Sequence, residues 1–174
     1  METLKITTAK TALNFGLILG GINIVYGLML FTLEMHYQGE TATSLIGYAL
    51  LIGVILWAIK HFKKTNDGYI SLSEALKTGV GTALISALII SIYTVIVIQY
   101  LDPEFIDKSI EYQKQKLIQE DPEIPLDDVN KMFEMQKKFS GPFIISGFII
   151  ILNLFIGFLI SLIVGLIVKK SKPE

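Results

Sequence analysis

Apolar and polar residues alternate along this chain in long blocks, and not with the short periods of a soluble amphipathic fold. Four apolar blocks contain no charged residue: Thr11–Leu33, Ser44–Ile59, Thr78–Leu101 and Pro142–Val168. A helix rises about 1.5 Å per residue, so about 20 residues cross a hydrocarbon layer roughly 30 Å thick. The pattern therefore predicts transmembrane helices at about 11–33, 44–60, 78–101 and 142–168.

The predicted fold class is all-α, a four-transmembrane-helix bundle. We expect the whole chain, residues 1–174, to form a single membrane domain, because its length leaves no room for a second large one. Apolar residues make up 52% of the chain and charged residues only 18%, which excludes most soluble folds. The first block is longer than the apolar core of a signal peptide, and we expect a retained helix.

The charged residues between the blocks predict the orientation of the bundle. Segments 1–10, 60–77 and 169–174 hold nine lysines and four acids, a net charge of +5. Segments 34–43 and 102–141 hold six lysines and twelve acids, a net charge of −6. Because lysines near helix ends stay in the cytoplasm, we expect both termini to be cytoplasmic and 102–141 to be extracytoplasmic.

Small residues recur every three or four positions in three of the blocks, which is typical of helix contacts in membranes. The candidates for helix packing are Gly16, Gly20, Asn23, Gly27, Gly79, Ala83, Ala87, Ser91, Gly157, Ser161 and Gly165. We favour packing among the chain's own four helices. The alternative is that one stripe faces a second copy or another membrane protein.

Segment 102–141 predicts two amphipathic helices, Pro103–Gln119 and Asp127–Ser140, with Asp102 as the N-cap of the first. Their apolar residues are candidates for docking a partner: Ile106, Ile110, Leu117, Met132, Phe133 and Phe139. The alternatives, which we favour, are that these faces pack on each other as a hairpin or lie on the membrane surface.

Few residues in the sequence indicate chemistry. The chain has no cysteine, and no Asp, Glu, Lys or His lies well inside a block, although ion-coupled carriers usually need one there. Asn23 and Asn153 could line a polar site, but we favour hydrogen bonds between helices. His36 and His61 fall on opposite sides of the membrane, and we expect both to be interfacial or solvated. We expect no catalytic residue, no cofactor and no metal site, with the acidic residues between 120 and 128 forming a solvated turn.

Short motifs around the third block resemble a known family. They are Tyr69, Ile70, Ser71, Glu74 and Ala75, then Gly79, then the exit Tyr100-Leu101-Asp102-Pro103, together with Asn14, Gly16 and Gly20. The chain resembles the "domain of unknown function 4199" family of small bacterial integral membrane proteins. The resemblance implies a four-span inner-membrane protein and no activity, so it supplies no catalytic residue.

Our leading hypothesis is a non-enzymatic protein of the bacterial inner membrane that acts by interaction, as an accessory subunit or an envelope scaffold. Its expected partners are the lipid bilayer and another membrane protein or a second copy. The net charge of −1 gives no reason to expect nucleic acid. The alternative is a small transport or permeation protein for a neutral or lipid-like solute, lined by Asn23, Asn153 and tyrosines. A membrane enzyme ranks last.

Overall fold

The computed structural model describes residues 7–172, so Glu2, Lys5 and Glu174 of the charge count lie outside it. Within this range the chain is all-α, with six α-helices and no strand. The helices are α1 (Thr8–Thr32), α2 (Thr41–Thr65), α3 (Leu72–Ile96), α4 (Phe105–Glu120), α5 (Leu126–Lys138) and α6 (Pro142–Val168). A π-helical turn, Val97–Leu101, extends α3.

Four helices are long and apolar enough to cross a membrane: α1, α2, α3 with its π-helical turn, and α6. The predicted all-α fold with four spans is confirmed to this extent, and the chain has the make-up of a multi-pass membrane protein. The helices are longer than the uncharged blocks, since α2 continues through Lys63 and α3 begins ahead of Lys77. Lysine is a good helix former whose ammonium group reaches back to water, so the charge pattern marks the hydrocarbon boundary and not the helix end.

The start of α3 follows from local sequence. Ser71 Oγ accepts a hydrogen bond of 3.2 Å from the Glu74 amide, and the Glu74 carboxylate accepts one of 2.8 Å from the Ser71 amide. This reciprocal capping box was predicted from Ser-x-x-Glu and is confirmed. The turn before it uses positive φ angles at Asp67 (57°) and Gly68 (80°), the left-handed conformation that ends α2.

Helix α3 lies at the centre of the bundle and packs against α1, α2 and α6. Its buried positions are mostly small: Ala75, Thr78, Gly79, Thr82, Ala83, Ser86, Ala87 and Ser91. Small side chains let neighbouring backbones approach closely. Within lipid the hydrophobic effect does not drive helices together, so these close packing contacts are what hold them in place.

The small residues of α1 and α6 lie against this central helix. A Cβ added at Gly16 would meet Ile85, one at Gly20 would meet Ile89, and one at Gly27 would meet Tyr93. On the other side Gly79 lies against Ser161, Gly157 against Ala83, and Gly165 against Leu72 and Ala75. The stripes therefore face the interior of this one chain.

Large apolar side chains cover the outside of the bundle. Val25, Ile92, Phe148, Ile163 and Ile167 are all exposed, whereas the buried core is built from residues such as Phe15, Leu19, Ile55 and Ile59. An apolar exterior of this extent suits lipid as the surrounding medium.

We call the end of the bundle that carries α4 and α5 the hairpin end, and the opposite end the tail end. At the tail end the chain after α6 pairs with the residue before α3. Ile70 and Lys170 exchange backbone hydrogen bonds of 3.0 and 2.9 Å. The Lys63 ammonium also donates to the Val168 carbonyl at 2.8 Å. Three helices are therefore joined at the tail end by bonds to backbone groups.

Candidate functional site

Asp102 is the centre of a charged cluster at the hairpin end, directly after the π-helical turn. Its carboxylate lies 3.0 Å from His36 Nε2 and 2.8 Å from Lys108 Nζ, and the residue is 6% exposed. The Asp102 amide donates to the Val97 carbonyl at 2.8 Å, the i to i+5 bond of the turn. Turns of this kind change the direction of side chains and are frequent at functional sites.

The prediction that Asp102 caps the next helix is wrong. Helix α4 begins at Phe105, and Glu104 stands at its N-cap position without a side-chain hydrogen bond. The Asp102 carboxylate instead pairs with two side chains that carry or can carry positive charge. A helix cap would pair this carboxylate with a neutral backbone amide, whereas Lys108 offers an opposite charge as well as a hydrogen bond, and this favours the observed pairing.

His36 belongs to the loop between α1 and α2, and aromatic rings surround it. Phe31, Tyr37 and Phe105 have ring centroids 4.7, 5.2 and 5.8 Å from the imidazole. Its side chain is only 12% exposed, so the expectation of a solvated His36 is wrong, whereas its expected position at the membrane interface stays a prediction. Among the described residues, the buried Nδ1 atom has no hydrogen-bond partner.

His61 lies at the tail end, where it is exposed and packs 5.3 Å from the Phe15 ring. Its expected position at a boundary agrees with this exposure. The two histidines are therefore in different surroundings, one enclosed and one open.

Burial raises the pKa of Asp102, but the hydrogen bonds from Lys108 and His36 outweigh that effect and lower its pKa overall. The hydrogen bond to Asp102 likewise raises the pKa of Lys108. Asp102 is therefore an ionised acceptor, and His36 Nε2 carries the hydrogen of the bond between them.

A second cluster joins the same loop to the middle of α4. The Glu40 carboxylate accepts hydrogen bonds from Tyr112 Oη at 2.5 Å and from Lys116 Nζ at 3.1 Å. These two bonds lower the pKa of Glu40, and the bond to Glu40 raises the pKa of both Tyr112 and Lys116. The Tyr37 and Tyr112 rings meet edge to face at 6.4 Å. The two clusters hold α4 against the loop of the bundle.

Two spaces adjoin these clusters. A cavity of about 150 Å³ lies between α1, the end of α3 and the start of α4, and His36, Tyr93, Thr94, Ile98 and Phe105 contribute to its wall. An open groove of about 550 Å³ runs along α4 between Tyr37, Tyr112 and three carboxylates.

Helices α4 and α5 form a hairpin that packs partly on itself. Val129 and Phe133 are buried, Gln136 donates to Gln113 at 3.1 Å, and Lys137 pairs with Asp107. Of the predicted docking residues, Ile106, Ile110 and Leu117 are half-buried and Phe133 is buried.

Met132 and Phe139 of the predicted docking residues are exposed, at 48% and 65%. Met135, which was not among the predicted docking residues, is 63% exposed. The three positions are three and four residues apart, so Met132 and Met135 lie on one face of α5, and the C-cap residue Phe139 continues the same spacing. We call this face the α5 stripe. The i, i+3, i+7 spacing was the available signal for Met135.

Polar groups inside the spans do not follow the expected pattern. The Asn23 and Asn153 amides each donate at 2.8 Å to a carbonyl of their own helix, Leu19 and Ile149, so the expected hydrogen bonds between helices are wrong for these amides. Ser91 and Ser146 instead exchange bonds between α3 and α6 at 3.3 and 3.4 Å. At a close contact between helices, a serine hydroxyl is near enough to hydrogen-bond with the backbone of the neighbouring helix. The longer asparagine side chains bond to the backbone of their own helix instead.

The acidic residues between 120 and 128 are exposed, and the described part of the chain contains no group of three metal-ligating side chains. What the hairpin end offers chemically is an imidazole that a carboxylate holds in place. The lysine distribution places segments 34–43 and 102–141 on the same side of the bundle. Because these segments contain His36 and Asp102, this was the available signal that the two residues could meet.

Comparison with curated proteins gave no match, and comparison with solved structures gave none either. A family model described as "Protein of unknown function (DUF4199)" matches residues 14–170. This match covers most of the chain and includes the Ser71–Glu74 cap, the Asp102 junction and the His36 loop. The chain therefore belongs to the DUF4199 family.

Proposed function

We propose that this protein is a non-enzymatic integral protein of the bacterial inner membrane that acts by interaction, as an accessory subunit or scaffold. In this proposal both termini are cytoplasmic, and the α4–α5 hairpin lies outside the cytoplasm and docks another membrane protein through the α5 stripe. The lysine distribution, with net charges of +5 and −6 on the two sides, supports the orientation.

The α5 stripe is the observation that carries the proposal. Met132, Met135 and the C-cap residue Phe139 are exposed, while Val129 and Phe133 already supply the contact of α5 with the rest of the chain. Methionine and aromatic side chains are typical of the centres of interaction surfaces. The stripe is thus apolar surface beyond what the hairpin uses for its own packing.

The clusters around Asp102 and Glu40 support the same proposal because they fix the position of the hairpin. Asp102, just before α4, is bonded both to His36 of the loop between α1 and α2 and to Lys108 of α4. Tyr112 and Lys116 of α4 are bonded to Glu40 of the same loop. A surface that is held in one place loses less conformational freedom when a partner binds, so less of the binding energy is spent on ordering it.

The transport alternative depends on polar side chains that line a path through the spans. The amides of Asn23 and Asn153 donate to backbone carbonyls of their own helices. Donor groups satisfied in this way offer less to a passing solute, and for this reason we prefer the interaction proposal.

Single cysteines in this cysteine-free chain provide the test. Met135→Cys would carry a photoactivated thiol-reactive cross-linker in intact cells, and Glu134→Cys, exposed on another face of α5, is the matched control. We expect a discrete protein adduct from position 135 and not from position 134, with its protein component identified by mass spectrometry. Met135→Glu should then reduce co-purification of that same protein at least tenfold in mild detergent.

Two results would contradict the proposal. One is an identical adduct pattern from both cysteines, which would indicate random collisions. The other is an adduct with lipid alone from position 135, which would place the α5 stripe on the membrane surface.

A further inference from the structure

The part of α2 nearest the tail end presents four exposed side chains on one face of the helix. The last three follow the first at distances of three, four and seven residues, which is the spacing of one helix face. We call this face the α2 patch, and its members are Trp57, Lys60, His61 and Lys64. It lies at the opposite end of the bundle from the α5 stripe and shares no residue with it.

Two aromatic contacts with α1 hold the patch in place. The buried Phe15 ring meets Trp57 edge to face at 5.1 Å and His61 at 5.3 Å. Trp57 is nevertheless 56% exposed, and it stands two residues before the uncharged block ends at Ile59. A tryptophan at such a boundary places its ring at the level of the lipid headgroups. The α2 patch therefore extends from the edge of the hydrocarbon into the headgroup layer.

The two lysines of the patch carry positive charge that no carboxylate among residues 7–172 neutralises. Helix α2 contains no acidic residue. Every ion pair within residues 7–172 lies at the hairpin end, so the described acids of the tail end, Asp67 and Glu74, pair with neither Lys60 nor Lys64. The next lysine, Lys63, is committed to a carbonyl at the end of α6. The patch is thus a local excess of positive charge.

These groups favour a negatively charged partner at headgroup depth. Lysine ammonium groups reach that depth through flexible stems, and the His61 imidazole has at least one N–H to donate in either protonation state. Phosphate oxygens accept such hydrogen bonds, and the charge of the ammonium groups strengthens them. A zwitterionic headgroup brings its own positive charge, so the patch favours a headgroup with a net negative charge.

The surface below Trp57 indicates that the phosphate comes from a lipid. Gly53 lies four residues before Trp57 and seven before Lys60, and so belongs to the same face of α2. It is exposed, and a Cβ added there would meet nothing within 4 Å. The helix is therefore open on the hydrocarbon side of the indole ring, where an acyl chain can lie along it. A water-soluble phosphate compound would leave this apolar surface unused.

We propose that the α2 patch binds an anionic phospholipid, with its phosphate between Lys60 and Lys64 and an acyl chain against Trp57. The His61 N–H donates to the same headgroup. The proposal rests on the bundle crossing a membrane and not on partner docking by the α5 stripe, so either proposal can fail without the other.

Trp57 is the single tryptophan of the chain, so its fluorescence reports which lipids lie against the patch. The test uses the full chain in phosphatidylcholine vesicles that contain a low mole fraction of a brominated lipid, which quenches tryptophan on contact. The brominated probe is phosphatidylglycerol in one series and phosphatidylcholine in the other. At about 0.15 M salt we expect phosphatidylglycerol to associate about tenfold more strongly, because a lysine near the membrane surface contributes about fivefold and two of them share one headgroup.

The variant that combines Lys60→Gln with Lys64→Gln removes both charges and keeps side chains of similar polarity. We expect its preference for phosphatidylglycerol to fall below about twofold. The matched control combines Lys170→Gln with Lys172→Gln, because these lysines line a groove to which no residue of the α2 patch contributes. It removes the same charge from the same end, and we expect it to keep at least about half of the preference, since salt screens distant charges.

Four results would overturn the proposal. Equal quenching by the two brominated lipids would show that the patch does not select charge, and an undiminished preference after Lys60→Gln with Lys64→Gln would show that these lysines do not hold the headgroup. An equal loss in both double variants would mean that the tail end as a whole attracts anionic lipid without a site on α2. Loss of the selective quenching when glycerol phosphate is added to the buffer would mean that a water-soluble phosphate, and not a lipid, occupies the patch.

Discussion

The close contact between α3 and α6 allows one packing prediction to be worked out quantitatively. A Cβ atom added at Gly157 would lie 2.5 Å from the Cβ of Ala83, whereas ordinary contacts are 3.4–4 Å. Ala83 is fully buried and its methyl group cannot rotate away, so the two helices would have to separate by about 1 Å. Overpacking of this kind costs about 1–3 kcal/mol.

The variant Gly157→Ala therefore needs a control that shares its other effects. Gly53 lies in α2, and a Cβ there would meet nothing within 4 Å. Both substitutions gain helix propensity, up to about 1 kcal/mol, so their difference isolates the clash. We expect Gly157→Ala to be less stable than Gly53→Ala by about 1–3 kcal/mol.

Reversible unfolding of both variants in mixed micelles measures this difference, with the unsubstituted chain as the common reference. Equal free energies of unfolding would refute the reasoning. They would mean that α3 and α6 do not approach as closely at Gly157 as the structure places them, and the assignment of this stripe to internal packing would fail with it.

Four further predictions concern the stability of the charged cluster, its pH dependence, the bundle interior and the orientation. Asp102→Asn should lower the Tm in detergent more than Asp107→Asn, because Asp102 is buried and Asp107 is exposed, and equal Tm values would contradict this. Because the pKa of Asp102 is lowered in the folded protein, its stabilising contribution is complete above the ordinary value of about 3.9 and is lost as the pH falls through the folded value. Acid titration of Tm should therefore show a steeper loss below about pH 4 in the unsubstituted chain than in Asp102→Asn. Ser86→Ala should raise stability by about 1 kcal/mol, since the Oγ atom is buried and finds no hydrogen-bond partner among residues 7–172, and a lower free energy of unfolding would argue against it. In intact cells a membrane-impermeant maleimide should label Glu120→Cys, and Lys170→Cys only after permeabilisation, whereas the opposite result would reverse the orientation.

The spans could be predicted from sequence because hydrocarbon imposes one simple rule. A residue such as Lys77 cannot enter the lipid core without cost, so the uncharged blocks mark the four membrane crossings directly. The Ser71–Glu74 cap was also predictable, since both partners lie within one turn of helix. The ends of helices that extend beyond the hydrocarbon were less predictable. Lysine is a good helix former in water as well as at the membrane boundary, so a lysine does not mark where a helix ends.

The charged cluster at the hairpin end could not be derived in the same way. His36 and Asp102 are 66 residues apart, and only the folded path of α1, α3 and the π-helical turn brings them together. From sequence, Asp102 followed by Pro103 looks like a helix cap, which is a local signal, whereas the bond from His36 that Asp102 accepts instead is not local. Met135 was not predicted as a docking residue for a different reason. Which side chains of α5 are exposed depends on which of its faces packs against α4, and this is known only from the fold.

The backbone pair of Ile70 with Lys170 makes the tail end of the bundle differ from the hairpin end in its sensitivity to pH and salt. Amide-to-carbonyl bonds neither titrate nor depend strongly on dissolved ions, so the tail end keeps its shape across a wide range of conditions. The hairpin end is fastened by ammonium and carboxylate groups such as Lys116 and Glu40, which ionic strength screens. We therefore expect a rise in ionic strength to weaken the fastening at the hairpin end more than the fastening at the tail end.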